Sequence, residues 1–223
     1  MAEFYLVRHG QASFGTDDYD RLSTLGQQQS LWLGQYFAER NIQFDRIIIG
    51  VQLRHRQTAE EICRGMGRNL VFTEHPELNE YDFSALYNAL GDDHADLKRL
   101  ASGNKRDFYR GLKQVLELWA TEQLTGNVPE SWGAFAQRIS DARSLIQQSG
   151  AQRVLAVSSG GAIGMMARQV LEAPENTAIE LNLQAKNSSF SHYYFNERSV
   201  KLASFNSIPH LDQLGRLDAI SHG

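Results

Sequence analysis

Short apolar runs alternate with stretches of helical periodicity along most of this chain. Phe4-Tyr5-Leu6-Val7 reads as a buried strand, and after a polar loop the box Thr24-x-x-Gln27 caps a helix that runs to about Arg40. Ile47-Ile48-Ile49 predicts a second strand. The helix after it spans about Arg56 to Met66, with apolar positions Ala59, Ile62, Cys63 and Met66 and a stop at Gly67. Leu70-Val71-Phe72 predicts a third strand, and Val154 to Val157 a fourth that leads into a helix from about Gly161 to Leu171. Alternation of this kind places the chain in the α/β class, with a largely parallel sheet covered by helices.

The rhythm stops between about residues 81 and 130. There Phe108, Leu112, Val115, Leu116 and Trp119 form the apolar stripe of a helix from Asp107 to Leu124, read as part of a helical insertion. Trp132, Phe135, Ile139, Leu145 and Ile146 mark the next helix, which ends at Gly150. A buried helix face requires such stripes, so they are read as core rather than as cofactor contacts. Phe190 to Phe195 and Val200 to Phe205 have the spacing of a hairpin at a sheet edge, with Asn196-Glu197-Arg198 at the turn. At 223 residues, 42% hydrophobic and 22% charged, the expectation is one domain over residues 1–223, carrying the insertion.

Composition narrows the function. A net charge of -4 and a pI near 6.0 argue against a nucleic-acid binder that relies on a general basic field, yet leave room for a local arginine cluster around a phosphorylated ligand. Cys63 is the only cysteine, which excludes an intramolecular disulfide and a cysteine-rich zinc site. No apolar stretch approaches the roughly 20 residues that span a bilayer, and Met1-Ala2-Glu3 leads straight into a strand. The expectation is a cytoplasmic protein without nucleic-acid or membrane partners.

In an open α/β sheet, ligands gather beyond the carboxyl ends of the strands. The first strand ends in Arg8-His9-Gly10, the second is followed by Leu53-Arg54-His55-Arg56-Gln57-Thr58, and the fourth by Ser158-Ser159-Gly160-Gly161 at a helix start. Guanidinium forks match phosphate oxygens bidentately, and a helix start adds N–H donors, so convergence of these segments would make an anion pocket. Within it, His9 can attack phosphorus as a neutral imidazole while arginines neutralise the equatorial oxygens. The leaving oxygen needs a proton, and a carboxyl group in Pro76-Glu77-Leu78-Asn79-Glu80-Tyr81 can supply it if burial raises its pKa. The plain alternatives are an ordinary turn at Arg8-His9-Gly10, a solvated helix start at Arg54 and Arg56, and a surface carboxylate at Glu80.

Taken in order, "LVRHG", "LSTLGQQQ", "LRHRQTAEEI", "ELNEYDF" and "VSSGGAI" resemble the motifs of the histidine phosphatase superfamily, the phosphoglycerate mutase-like family, over nearly the whole chain. The resemblance implies a three-layer α/β/α sandwich with a helical lid at about 81–130. It implies His9 as the phosphorylated nucleophile, Glu80 as proton donor and Arg8 and Arg54 as phosphate ligands. Arg54 is preferred to Arg56 because the family's arginine stands three residues before the glutamine of "QTA". Ser159 and Gly160 then form a phosphate-binding wall. The implied activity is a phosphomonoesterase acting on a small phosphorylated molecule, with no cofactor and no metal. Two departures stand out. Ser159 occupies the place of the family's second histidine, and loss of one such donor typically costs roughly 10²–10³ in rate. Gly15 stands where many members carry a phosphate-binding asparagine, and the tryptophan-asparagine pair of the mutases is absent from "RHGQASFG".

Other readings compete. With Ser159 in place of histidine, a phospholigand-binding module of low or no turnover is the main alternative, and a phosphoglycerate mutase a minor one. A serine-hydrolase elbow would use Ser158 with Asp212 or Asp218 and His210 or His222. His55, adjacent to Arg54, is within reach of the phosphate as a replacement for the missing imidazole, but the expectation is a helix-start residue that faces elsewhere, because adjacent side chains diverge. His75, His94 and His192 have no metal-ligand spacing. Specificity is expected from the insertion and from the loop around His210, with Arg110 or Lys113 placed to meet the far end of the substrate. The apolar helices of the insertion leave packing on the core or a homodimer open.

Overall fold

The computed structural model describes residues 2–13, 20–69, 71–100 and 104–222. Gly15 and Leu70 lie outside the described residues. The sheet has the order β3-β2-β4-β1-β5-β6, built from β1 (Ala2–Arg8), β2 (Arg46–Ile49), β3 (Phe72–Glu74), β4 (Arg153–Ser158), β5 (Phe190–Phe195) and β6 (Val200–Ser207). The first four are parallel to one another. The β5–β6 hairpin closes one edge, with β5 antiparallel to β1. The register sets Arg8 opposite Ser158, so the strand ends that carry Arg8-His9 and Ser158-Ser159 lie side by side.

Alternation along β1 assigns its two faces. Tyr5 and Val7 pack with Leu33 and Phe37 of α1 (Thr24–Glu39) and Ala59 and Ile62 of α2 (Leu53–Gly65). Phe4 and Leu6 join the larger core with α5 (Lys105–Ala120), α6 (Trp132–Gln147), α7 (Gly160–Val170) and α8 (Glu175–Gln184). Phe4 stacks on Tyr193 of β5 with ring centroids 4.4 Å apart. The outcome is an α/β sandwich with helices on both faces of the sheet. Between β3 and β4 the chain forms α3 (Phe83–Asn88), α4 (Ala95–Leu100) and α5, followed by α6.

Several boundaries move for identifiable reasons. The cap of α1 is Ser23, whose hydroxyl accepts the Gly26 N–H at 3.1 Å, one residue ahead of the Thr24 expected. Helix α2 starts at Leu53 rather than about Arg56, and stops as expected before Gly67, whose φ is +64°. Strand β3 covers Phe72–Glu74, displaced toward the C-terminus of the expected Leu70-Val71-Phe72 because Val71 is exposed. Helix α5 spans Lys105–Ala120, capped by Asn104, rather than Asp107 to Leu124. Helix α8 was absent from the sequence reading. It opens behind Pro174 and its sequence ENTAIELNLQ is too polar to display a stripe. Among the described residues no helix is long and apolar enough to cross a membrane.

Candidate active site

Three strand ends and two helix starts meet above the carboxyl edge of the sheet. His9 follows β1 and is 4% exposed, and its backbone N–H donates to the Ser158 carbonyl at 2.9 Å. Its Nδ1 lies 2.7 Å from the Gly10 carbonyl oxygen. A carbonyl only accepts, so Nδ1 carries the proton and Nε2 keeps its lone pair. Burial, then the charges of Arg54 and Arg8, and His55 beside it, hold the His9 pKa well below the usual histidine range. The imidazole is therefore neutral at physiological pH.

Helix α2 delivers the second guanidinium. Starting at Leu53, it buries Arg54 in its first turn, where Arg54 Nη1 pairs with Asp20 Oδ1 at 2.6 Å. The other oxygen of Asp20 accepts the Leu53 N–H at 2.8 Å, so a single carboxylate fixes both the helix start and the arginine. The rest of "RQTA" ties this helix to β1. Gln57 accepts the Leu22 N–H at 2.8 Å, and Thr58 accepts the Gly10 N–H at 3.1 Å while donating to the Arg54 carbonyl at 2.7 Å. Arg8 is anchored from the other side through a hydrogen bond to the Ala185 carbonyl after α8.

Glu80 approaches from the segment after β3. Its backbone N–H donates to Gln52 Oε1 at 3.0 Å, and its carboxylate accepts the Gly161 N–H at 3.0 Å and the Tyr81 N–H at 3.3 Å. Glycine is required at 161, because a Cβ there would lie 2.3 Å from Glu80 Oε1 and from the Tyr81 ring. Burial raises the Glu80 pKa, opposed by the Gly161 N–H and by the Arg54 and Arg8 charges. An imidazole with a lowered pKa and a buried carboxyl with a raised one thus stand beside the same two arginines at the carboxyl edge of the sheet. This pairing permits nucleophilic attack with proton donation to a departing oxygen.

Arg8, Arg54, Gln52 and Glu80 line one end of a cavity of about 540 Å³. Tyr81, Phe83, Phe108, Tyr109, Leu112 and Leu183 form the rest of its wall, with Asp82 and Ser84 beside them. Asn182 of α8 also lines it and donates from Nδ2 to the Tyr81 hydroxyl at 3.0 Å. Sequence reasoning missed Asp20, Gln52 and Asn182. Helices α3 and α5 contribute Phe83, Phe108, Tyr109 and Leu112 to this wall. Arg110 and Lys113 are not among the lining residues: Lys113 pairs instead with Glu180 of α8 at 2.5 Å, and Arg110 is exposed. Nor does the His210 loop line the cavity. His210 is fully buried, hydrogen-bonded to Ser188 at 2.7 Å and pushed by burial to a pKa of about 3.

Ser159 departs from expectation through its contact with His55. Ser159 is fully buried and its hydroxyl lies 2.7 Å from His55 Nε2, so it offers no side-chain contact to the cavity. His55 faces inward, because the earlier start of α2 turns it toward the sheet, and its ring lies 5.9 Å from that of His9. Gly160 keeps its backbone close to Arg8: a Cβ there would stand 3.6 Å from Arg8 Cζ. The serine-hydrolase arrangement is absent. Ser158 is buried and donates to the Leu78 carbonyl at 2.5 Å, while His210 serves Ser188. His75 pairs with Glu77 and His192 with Glu3. Among the described residues no group of three or more metal-ligating side chains assembles.

The family model of the histidine phosphatase superfamily (branch 1) matches residues 4–208. The chain belongs to this superfamily. Its phosphatase structures share the fold at low identity. The alpha-ribazole phosphatase of Shigella flexneri is 21% identical, covering 92% of this chain and 96% of its own, with a TM-score of 0.65. A mutant phosphoserine phosphatase of Entamoeba histolytica in complex with phosphoserine is also 21% identical, covering 95% of this chain and 100% of its own, with a TM-score of 0.65. The mycobacterial glucosyl-3-phosphoglycerate phosphatase is 22% identical, covering 93% and 99%, with a TM-score of 0.60. No curated protein matches the chain in sequence.

Proposed function

We propose that the protein is a phosphomonoesterase that works through a phosphohistidine at His9. The observation that carries this reading is the Nδ1–H bond to the Gly10 carbonyl, which leaves Nε2 of a neutral, arginine-flanked imidazole as the one ring atom able to attack. Nε2 attacks phosphorus and the ester P–O bond breaks. Glu80 gives its proton to the departing oxygen. The resulting Glu80 carboxylate then takes a proton from water as that water attacks phosphorus, the P–N bond breaks, and inorganic phosphate leaves with both residues restored. Arg8, Arg54 and the backbone at Gly160 hold the phosphoryl oxygens throughout.

Helices α3 to α5 act as the lid that the sequence suggested, and they favour a particular leaving group. Phe83, Phe108, Tyr109 and Leu112 present ring and alkyl surface, whereas the arginines among the described lining residues, Arg8 and Arg54, sit at the phosphate end. A monoester with one phosphate and an apolar or aromatic body fits this wall better than a substrate bearing a second acid. That preference also weighs against a phosphoglycerate mutase. One observation favours the alternative of a binding module: the α7 start carries Ser159 and no imidazole.

Steady-state hydrolysis of p-nitrophenyl phosphate by the wild type and by His9→Ala decides between them. Turnover that His9→Ala abolishes supports the phosphomonoesterase. Absence of turnover in the wild type, with inorganic phosphate bound, supports the module.

A further inference from the structure

Ser159 stands at the N-cap of α7, yet its hydroxyl caps nothing in that helix. A serine at this position ordinarily accepts the N–H of the second or third helical residue, here Gly161 or Ala162. Instead the hydroxyl is drawn 2.7 Å from His55 Nε2, and the Gly161 N–H goes to Glu80 Oε2 at 3.0 Å. His55 is well held for this task. It is fully buried, with its Nδ1 edge set so closely against β2 that a Cβ on Gly50 would approach it to 2.2 Å.

We infer that His55 is a positioning residue for the proton donor: by engaging the Ser159 hydroxyl it keeps the Gly161 N–H available to Glu80. The inference rests on the phosphomonoesterase reading, in which Glu80 is the acid. Without the imidazole, the Ser159 hydroxyl turns to its own helix and competes for the donor that holds Glu80. The charged and polar groups facing that carboxyl are Arg8 from β1, Arg54 from α2, and the Gly161 and Tyr81 N–H groups. Loss of the Gly161 bond therefore leaves Glu80 less anchored and its proton more tightly held. Removing both side chains has a different consequence. With no hydroxyl to compete, Gly161 returns to Glu80.

The test compares His55→Ala, Ser159→Ala and the double variant on two substrates, p-nitrophenyl phosphate and an alkyl phosphate such as glycerol 2-phosphate. Nitrophenolate leaves without a proton, so only the alkyl ester reads the position of the acid. His55→Ala is expected to lose about tenfold or more in kcat on the alkyl ester, with KM and p-nitrophenyl phosphate turnover little changed. Ser159→Ala is expected to stay near wild type, and the double variant to recover most of the loss. His55→Gln, which can still hydrogen-bond the hydroxyl, also keeps activity and covers the case in which the alanine variant fails to fold. Titration of the Glu80 carboxyl by NMR gives a readout independent of turnover, raised in His55→Ala and restored in the double variant. Equal losses on both esters, or a double variant no better than His55→Ala, overturn the inference. Wild-type protein without turnover overturns the phosphomonoesterase reading, and the NMR titration still decides the coupling.

Discussion

The two ends of the cavity are built by different means. At the end proposed to take the phosphate, Arg8, His9, Arg54 and Glu80 are each fixed by backbone groups or by a partner carboxylate at the carboxyl ends of the parallel strands. At the far end, Phe83, Phe108, Tyr109 and Leu112 project from α3 and α5, helices that hold the wall through ring contacts such as Phe83 against Phe108 at 5.6 Å. Backbone-fixed polar groups give geometry to a reaction, and side-chain packing on an insertion gives shape to a substrate. On the proposed function, the division assigns chemistry to the sheet edge and selectivity to the lid.

The division can be broken most severely at the nucleophile. His9→Ala is expected to lower p-nitrophenyl phosphate turnover by about 10³-fold or more in steady-state kinetics, since the proposed P–N bond forms on the His9 imidazole. Glu80→Gln comes next. It should cost about 10²-fold on an alkyl phosphate and far less on p-nitrophenyl phosphate, as measured by kcat on the two esters. At the opposite end, Phe108→Ala should raise KM for aryl phosphates by about tenfold with kcat nearly unchanged, and should leave KM for a small alkyl phosphate alone. An equal effect of Phe108→Ala on every ester would erase the distinction between the two ends.

The smallest expected effect concerns pH. The proposed mechanism requires neutral His9 and protonated Glu80. The His9 pKa is lowered, so the acid limb of kcat/KM should fall below the ordinary histidine value of 6.5, and the Glu80 pKa is raised, so the alkaline limb should lie above the ordinary carboxylate value of 4.5. Glu80→Gln should remove the alkaline limb and leave the acid limb in place.

The same contrast explains what could be read from the sequence. Apolar runs before Arg8-His9-Gly10 and Ser158-Ser159-Gly160 marked strand ends because a parallel sheet buried on both faces needs unbroken apolar strands. The start of α2 was read late because Leu53-Arg54-His55-Arg56 shows no apolar periodicity. Arg54 and His55 are buried while Arg56 stays exposed against Glu74, so polar residues occupy the inward positions and the pattern fails. His55 does not line the cavity, as expected of it, but its contact with Ser159 had no signal in the sequence. Asp20 and Asn182 were illegible for another reason: their partners lie 34 and 101 residues away, and no spacing encodes such pairs. Ser159 was legible as a departure from the family motif, but its engagement by His55 was not.

The central claim is that His9 Nε2 becomes phosphorylated. Wild-type protein should be mixed with a monoester turned over slowly enough to allow trapping, quenched in base, in which phosphohistidine survives, and digested for mass spectrometry under non-acidic conditions. The account predicts one added phosphoryl group on the peptide containing His9, lost on brief acid treatment and absent from His9→Ala. A phosphoryl group on any other residue, or burst kinetics without a label on His9, would contradict it.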